Sequence, residues 1–151
     1  FIADPQALAR AACVVEGAVP ALVAEGFDAI IVAAFGDPGV GALRSRLSLP
    51  VTGLGEAGIA EAAQGGLRYA IVTVTPGLHQ SLVLAAHTHA EPSQLAAVRY
   101  THGALSEVMQ TPEGLAAALL PALRRTSLSV CTFASWIRWR PRCAWPADAP
   151  A

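Results

Sequence analysis

Asp28-Ala-Ile-Ile-Val-Ala-Ala-Phe-Gly-Asp-Pro-Gly39 is the stretch on which the reading of this chain turns. Residues 29–35 form a continuous apolar run of strand length, with no polar residue at alternate positions. That pattern predicts a strand buried on both faces, as in a parallel sheet. Gly36 to Gly39 then breaks the strand and predicts a helix through Leu47, with Asp37 as N-cap and Pro38 at N1. Asp accepts a hydrogen bond from a free N–H of the first turn, and Pro has no N–H there to leave unpaired.

The same grammar recurs on either side. Asp4-Pro5 predicts a helix carrying Leu8, Ala11, Ala12, Val15, Val19 and Leu22 at helical spacing, kinked by Pro20 and ended by Gly26. Downstream, Pro50 to Leu54 reads as a second strand, and Glu56 to Gln64 as a helix closed by Gly65-Gly66. Leu67 to Val74 reads as a third strand, and Thr75-Pro76 as the start of a helix to about His87. A short strand is expected near Ala96 to Tyr100, and a helix from Thr111-Pro112-Glu113 to Arg125. Strands alternating with helices imply right-handed crossovers. The expected fold class is therefore α/β, a mostly parallel sheet with helices on both faces. Ligands in such sheets sit beyond the carboxyl ends of the strands, which here means the loops after Phe35, Leu54 and Val74.

Composition narrows the function classes. Of 151 residues 54% are hydrophobic and 14% charged, too apolar for a disordered segment. The net charge of −1 offers no general attraction to nucleic acid or acidic membranes, so neither is expected as a partner. No apolar run in the sequence reaches the roughly 18–20 residues of a membrane span. The three cysteines, Cys13, Cys131 and Cys143, have no metal-ligand spacing and are read as reduced thiols of a cytoplasmic protein. His79, His87, His89 and His102 are read as solvent-facing, with no metal, because no carboxylate or cysteine completes a ligand set. Cys13 beside the apolar stripe of the first helix reads as a small packing residue.

Several motifs, taken together, resemble the hydantoin and allantoin racemase branch of the Asp/Glu/hydantoin racemase superfamily. There a buried strand runs into Cys-Phe-x-Asp-Pro-Gly; here it runs into Ala34-Phe-Gly-Asp-Pro-Gly39. Leu43-Arg44 follows, then Leu49-Pro-Val-Thr-Gly-Leu-Gly-Glu-Ala57, close to the family's Pro-Val-x-Gly-x-x-Glu-Ala, and Leu67-Arg-Tyr-Ala-Ile-Val-Thr73 resembles the strand leading into its second half. The resemblance spans about residues 4 to 125 and implies one half, plus part of the second half, of a two-lobed racemase. It implies a substrate with a carboxylate or imide group, held between two lobes, and no cofactor. One thiolate takes the proton next to a carbonyl and an opposite thiol returns one to the other face, with N–H groups steadying the negative charge. Together with the strand-edge position of the loops, it makes Phe35, Gly36, Asp37, Pro38, Gly39, Glu56, Thr73 and Thr75 the candidate substrate-binding residues. On its own, Thr75 before Pro76 reads first as a helix cap; Asp37 reads also as a cap, a role compatible with substrate contact, and Glu56 equally as an acid favoured in a first helical turn.

Three departures accompany the resemblance. Ala34 stands where the family has its first cysteine, and a methyl group cannot move a proton, so a two-base reaction is expected to be impaired. The family's first strand would lie before Phe1; its absence would leave unpaired backbone groups and favour a homo-oligomer. The second cysteine would fall after Arg125, where Cys131 stands roughly in place, without flanking glycines, as the candidate catalytic thiol. Residues 1–125 are thus read as a racemase-like α/β domain and 126–151 as an atypical tail. The tail holds all three Trp together with Arg138, Arg140 and Arg142. It reads as a frameshifted or truncated stretch, with an aromatic basic arm or an ordinary extension as the other readings. Two further functions stay open: a decarboxylase resembling the arylmalonate enzymes, which use one cysteine, and an inactive small-molecule-binding remnant.

Overall fold

In the computed structural model, which describes residues 1–103 and 105–124, the chain alternates helices and parallel strands as its punctuation predicts. Helix α1 spans Pro5–Gly17, and the Asp4 carboxylate accepts from the Ala7 N–H at 2.7 Å. Helix α2, Val19–Ala24, continues it after a break at Ala18. Pro20 supplies the cause, since it has no N–H to give to the turn before it. Gly26, at φ 72°, takes the left-handed turn that ends the pair. Strand β1 is Ile30–Val32 and pairs in parallel with β2, Val51–Gly53; α3, Val40–Arg46, is the crossover. Helix α4, Leu54–Ala62, leads through a short 3₁₀ turn to β3, Tyr69–Thr73. A second 3₁₀ turn, Pro76–Leu78, and α5, His79–His89, connect it to its parallel partner β4, Leu95–Tyr100. Helices α6, Leu105–Val108, and α7, Pro112–Arg124, follow. The Thr111 hydroxyl accepts from the Gly114 N–H and so caps α7 as its sequence predicts.

Two apolar clusters hold these elements. One joins Val32, Val40, Leu43 and Val51 to Val15, Val19 and Leu22 of α1–α2; the other joins Ile59, Tyr69, Ile71, Leu78, Leu82 and Ala86, with Ile2 and Leu8 against it. Leu43 and Ile59 are the largest fully buried side chains, each worth about 1.5–3 kcal/mol relative to exposure. Helix α4 packs on both β2 and α5 and so ties the clusters together.

Several sequence expectations need correction. The α/β class with parallel strands holds; the described strands pair as β1-β2 and β3-β4, and none of the described strands bridges β1 and β3. For the same reason β1 is not buried on both faces: α1 to α3 cover Val32, while Ile31 is 72% exposed. An open apolar groove of about 580 Å³ runs beside it, lined by Val14, Val15, Leu22, Ile31 and Ala34 among others. Residues 5–24 also have the length and mean hydropathy, 1.6, of a membrane-crossing helix, which reading uninterrupted apolar runs had missed. In the fold these two helices are offset at Ala18 and lay Val15, Val19 and Leu22 on the β1-β2 cluster. The tail, 126–151, and with it Cys131, lies outside the described residues.

Candidate functional site

β1, β2 and β3 end at the loops that sequence reasoning singled out, and the end of β4 lies beside that of β3; the start of α1 lies against two of these loops. The Leu8 side chain lies where a Cβ on Gly36 would be, and the Ala3 carbonyl lies against Gly77. The loop after β1 and the loop after β3 therefore flank the first turns of α1.

The loop after β1 is built differently from its expected form. Asp37 does not cap α3. That helix starts later, at Val40, after Gly39 with φ 75°. Asp37 itself adopts φ 48°, an uncommon left-handed conformation for a residue with a side chain. This conformation goes with a carboxylate turned across to α4, where Oδ1 accepts from the Gly55 N–H at 2.8 Å and Oδ2 from the Glu56 N–H at 2.7 Å. The N-cap position of α4 is Gly53, which has no side chain to do this. Asp37 thus supplies the missing cap from another loop, and its charge suits the positive end of the helix. Gly53 and Gly55 are small for the matching reason: a Cβ on the first would meet the Asp37 carboxylate, and on the second the Phe35 carbonyl oxygen.

Glu56 extends this latch. Its Oε1 accepts from the Gly53 N–H at 2.9 Å, and Arg44 grips the carboxylate with both terminal nitrogens, one at 2.9 Å. Arg44 also donates to the Val51 carbonyl from Nε at 3.0 Å and Nη2 at 2.6 Å. The Arg44 hydrogen bonds hold the Glu56 carboxyl below the usual carboxylate range, with the Gly53 N–H acting in the same direction against the cost of burial. A depressed carboxyl stabilises the fold fully above its unfolded value of about 4.3 and progressively less as pH falls through its folded value. The stability difference between the native chain and Glu56→Gln is therefore expected to shrink as pH drops below about 4.3. Urea melts at neutral and acid pH measure it; a difference independent of pH would contradict the ion pair.

Thr75 does not cap the helix that follows Pro76, as the sequence predicts; no side-chain cap forms there. Its hydroxyl instead meets that of Thr73 at 2.9 Å, and its N–H donates to Thr73 Oγ1 at 3.3 Å. The polar turn competes with helix capping for the same short side chains. Beside it, His79 Nδ1 is hydrogen-bonded to the Tyr100 hydroxyl, a pairing that sequence reasoning missed. Tyr100 sits opposite Thr73 in the β3-β4 register. Residues 21 positions apart on a helix start and a strand end give no periodic signal, so only the fold brings them together.

The sequence-derived residues thus separate into two groups at the carboxyl edges. Phe35 to Gly39 with Glu56 form one, and Thr73 with Thr75 the other. Ala34, half-buried, sits at the head of the first, where its carbonyl accepts from the Asp37 N–H at 2.8 Å. Among the described residues no cluster of three or more His, Cys, Asp or Glu is gathered as a metal would require, and Cys13 is an exposed free thiol rather than a packing residue.

The description "Asp/Glu/Hydantoin racemase" belongs to the family model that matches residues 1–128. The chain belongs to this family. A hydantoin racemase from Pseudomonas sp. (strain NS671) is 29% identical over 89 residues, covering 59% of this chain and 36% of that protein. The allantoin racemase from Klebsiella pneumoniae superposes with a TM-score of 0.75 at 25% identity, over 83% of this chain and 51% of that one. This racemase-family chain therefore spans about half of the solved allantoin racemase and about a third of the hydantoin racemase. Its α/β fold and its parallel strands are those of the family.

Proposed function

We propose that this chain is part of an enzyme of the hydantoin and allantoin racemase type, acting on a cyclic imide, ureide or related amino-acid derivative without a cofactor. The observation that carries the reading is the loop Phe35 to Gly39. It lies at the carboxyl edge of β1 and is locked to α4 through both oxygens of Asp37. Pinning that loop keeps the residue at its head, Ala34, at a fixed place beside bound substrate. Proton transfer next to a carbonyl depends on such placement, because a group misplaced by about 1 Å loses much of its effect. In this reading Asp37 and Glu56 shape the site, since each of their oxygens already holds a backbone N–H or Arg44. Phe35, Gly36, Pro38, Gly39, Thr73 and Thr75 remain its contacts.

Ala34 favours a second reading of the chemistry. With no thiol on that side, two-base racemisation lacks one of its two proton carriers. A single cysteine, for which Cys131 is the candidate, would suffice for one-sided protonation after loss of carbon dioxide, as in the arylmalonate decarboxylases. The racemase-like unit comprises residues 1–125 and acts in the cytoplasm on small molecules, not on nucleic acid or membranes. The exposed edge and groove of β1 favour self-association.

A 5-substituted hydantoin and allantoin are expected to raise the melting temperature of the chain by mass action while it fails to racemise either. An α-aryl-α-methylmalonate tests the second reading by release of carbon dioxide. Absence of any ligand-dependent melting shift at millimolar concentration would remove the binding claim. Racemisation by the unmodified chain would remove the claim that Ala34 impairs it.

A further inference from the structure

The His79–Tyr100 pair lies outside every role assigned so far, yet it stands at the same edge as Thr73 and Thr75. His79 is the first residue of α5 and is exposed; Tyr100 ends β4 and is half-buried. The rings are 6.1 Å apart between centroids and tilted by 59°, so the hydrogen bond between Nδ1 and the hydroxyl fixes the imidazole plane. An imidazole nitrogen is a better acceptor than a phenol oxygen, and a phenol is the better donor. Burial, which pushes the Tyr100 phenol up, keeps its proton in place. With the phenol donating, Nδ1 accepts and the ring's own proton sits on Nε2. Among the described residues, Nε2 has no hydrogen-bond or ion-pair partner.

We propose that His79 is a substrate-contact residue whose Nε2–H donates a hydrogen bond to a carbonyl oxygen of a cyclic imide, with Tyr100 as the positioning residue that sets its ring and tautomer. The proposal rests on the site reading given above and adds to it a ligand-facing donor on the β3-β4 side. The start of α1 and the residues just before it touch both sides, because Gly77, two residues before His79, lies against the Ala3 carbonyl, while Gly36 lies against the Leu8 side chain. A flat ring lying over the start of α1 would have the β1 loop along one margin and the His79 Nε2–H along the other. A donor fixed in advance at a carbonyl oxygen also favours the enolate that forms when the neighbouring proton leaves, since charge on that oxygen grows and the donor need not reorganise.

Nitrogen-15 NMR of the full chain, titrated with hydantoin, tests this directly. The expected spectrum shows His79 protonated at Nε2 before hydantoin is added, and a shift of its ring resonances on binding. His79→Ala should weaken hydantoin binding about five- to tenfold, the worth of one hydrogen bond, with little change in melting temperature because the side chain is exposed. Tyr100→Phe should leave the fold intact, mix the two His79 tautomers and weaken binding by a smaller factor. A purely structural Tyr100 would not alter the tautomer. A His79 protonated at Nδ1 in the free chain, or hydantoin binding that perturbs the 35–39 amides while leaving His79 and the affinity of His79→Ala unchanged, overturns the proposal and leaves the site reading standing. Hydantoin that perturbs neither region overturns both.

Discussion

Gly55→Ala is expected to destabilise the chain by about 3 kcal/mol or more, among the larger effects a single methyl group can have. The added Cβ would point at the Phe35 carbonyl oxygen, with the carbonyl carbon 3.0 Å and Asp37 Oδ2 2.8 Å away. The nearest of these is backbone, so no side-chain rotation relieves the clash. Relief requires lifting the 35–39 loop from α4, and that breaks both hydrogen bonds from Asp37 to the Gly55 and Glu56 N–H groups. Two lost charge-assisted bonds at a helix start are worth about 1.5–3 kcal/mol each before relaxation, so the chain loses in either case. For a domain of this size the melting temperature should fall by about 10 °C. Gly58→Ala is the internal control. It lies on the same helix, and its Cβ would meet only the Phe35 ring edge at 3.6 Å, an ordinary contact. There the gain in helix propensity should give a neutral or slightly stabilising result, up to about 1 kcal/mol. Equal melting temperatures for the two variants would show that the β1 loop does not rest on α4 as described.

The same loop shows how far the sequence could be read. Its existence and place were legible, because a run of seven apolar residues, 29–35, followed by Gly-Asp-Pro-Gly admits little other than a buried strand entering a turn. What Asp37 does was not. Asp-Pro is a strong local signal for an N-cap and is read correctly as one at Asp4, where the carboxylate has only its own helix within reach. At Asp37 a second helix start, with a glycine at its own N-cap, lies close in space and takes the carboxylate instead. Local propensity and tertiary contact favour different partners here, and the tertiary partner offers two N–H groups. Thr75 shows the same competition at a smaller scale, with Thr73 as the winner. Thr111 has no such competitor and caps its helix as expected. Sheet continuity was illegible for a different reason. An apolar run reports that a strand can be buried on two faces but not whether a neighbour is present to bury it, and Ile31 is the residue that records the difference. The Arg44–Glu56 and His79–Tyr100 contacts link positions 12 and 21 apart, where no helical or strand period applies.

Ala34→Cys should have the largest effect on chemistry. General acid–base catalysis by a correctly placed group contributes about 10²- to 10⁴-fold, and in the proposed site the unmodified chain has only a methyl group at that place. The expected result is that the unmodified chain exchanges the ring C–H of a 5-substituted hydantoin with deuterium at the rate set by buffer alone, while Ala34→Cys raises that rate by about 10²-fold or more. Exchange is the right readout because it needs one base on one face, whereas racemisation needs a second proton carrier on the other. The substitution is also structurally mild. Ala34 is half-buried, and it lines the open groove beside β1, so the sulfur atom has room without displacing Leu43 or Val32 from the adjacent cluster. The loop that would aim the thiol is already fixed, with the Asp37 N–H bonded to the Ala34 carbonyl and the Asp37 carboxylate bonded to α4. Combining the change with Gly55→Ala should abolish the gained exchange at temperatures where the double variant remains folded, because the thiol would lose its fixed position and not its chemistry. Hydantoin bound by Ala34→Cys but exchanging no faster than in buffer would mean that this position does not face the acidic carbon, and the racemase reading of the β1 loop would fail with it.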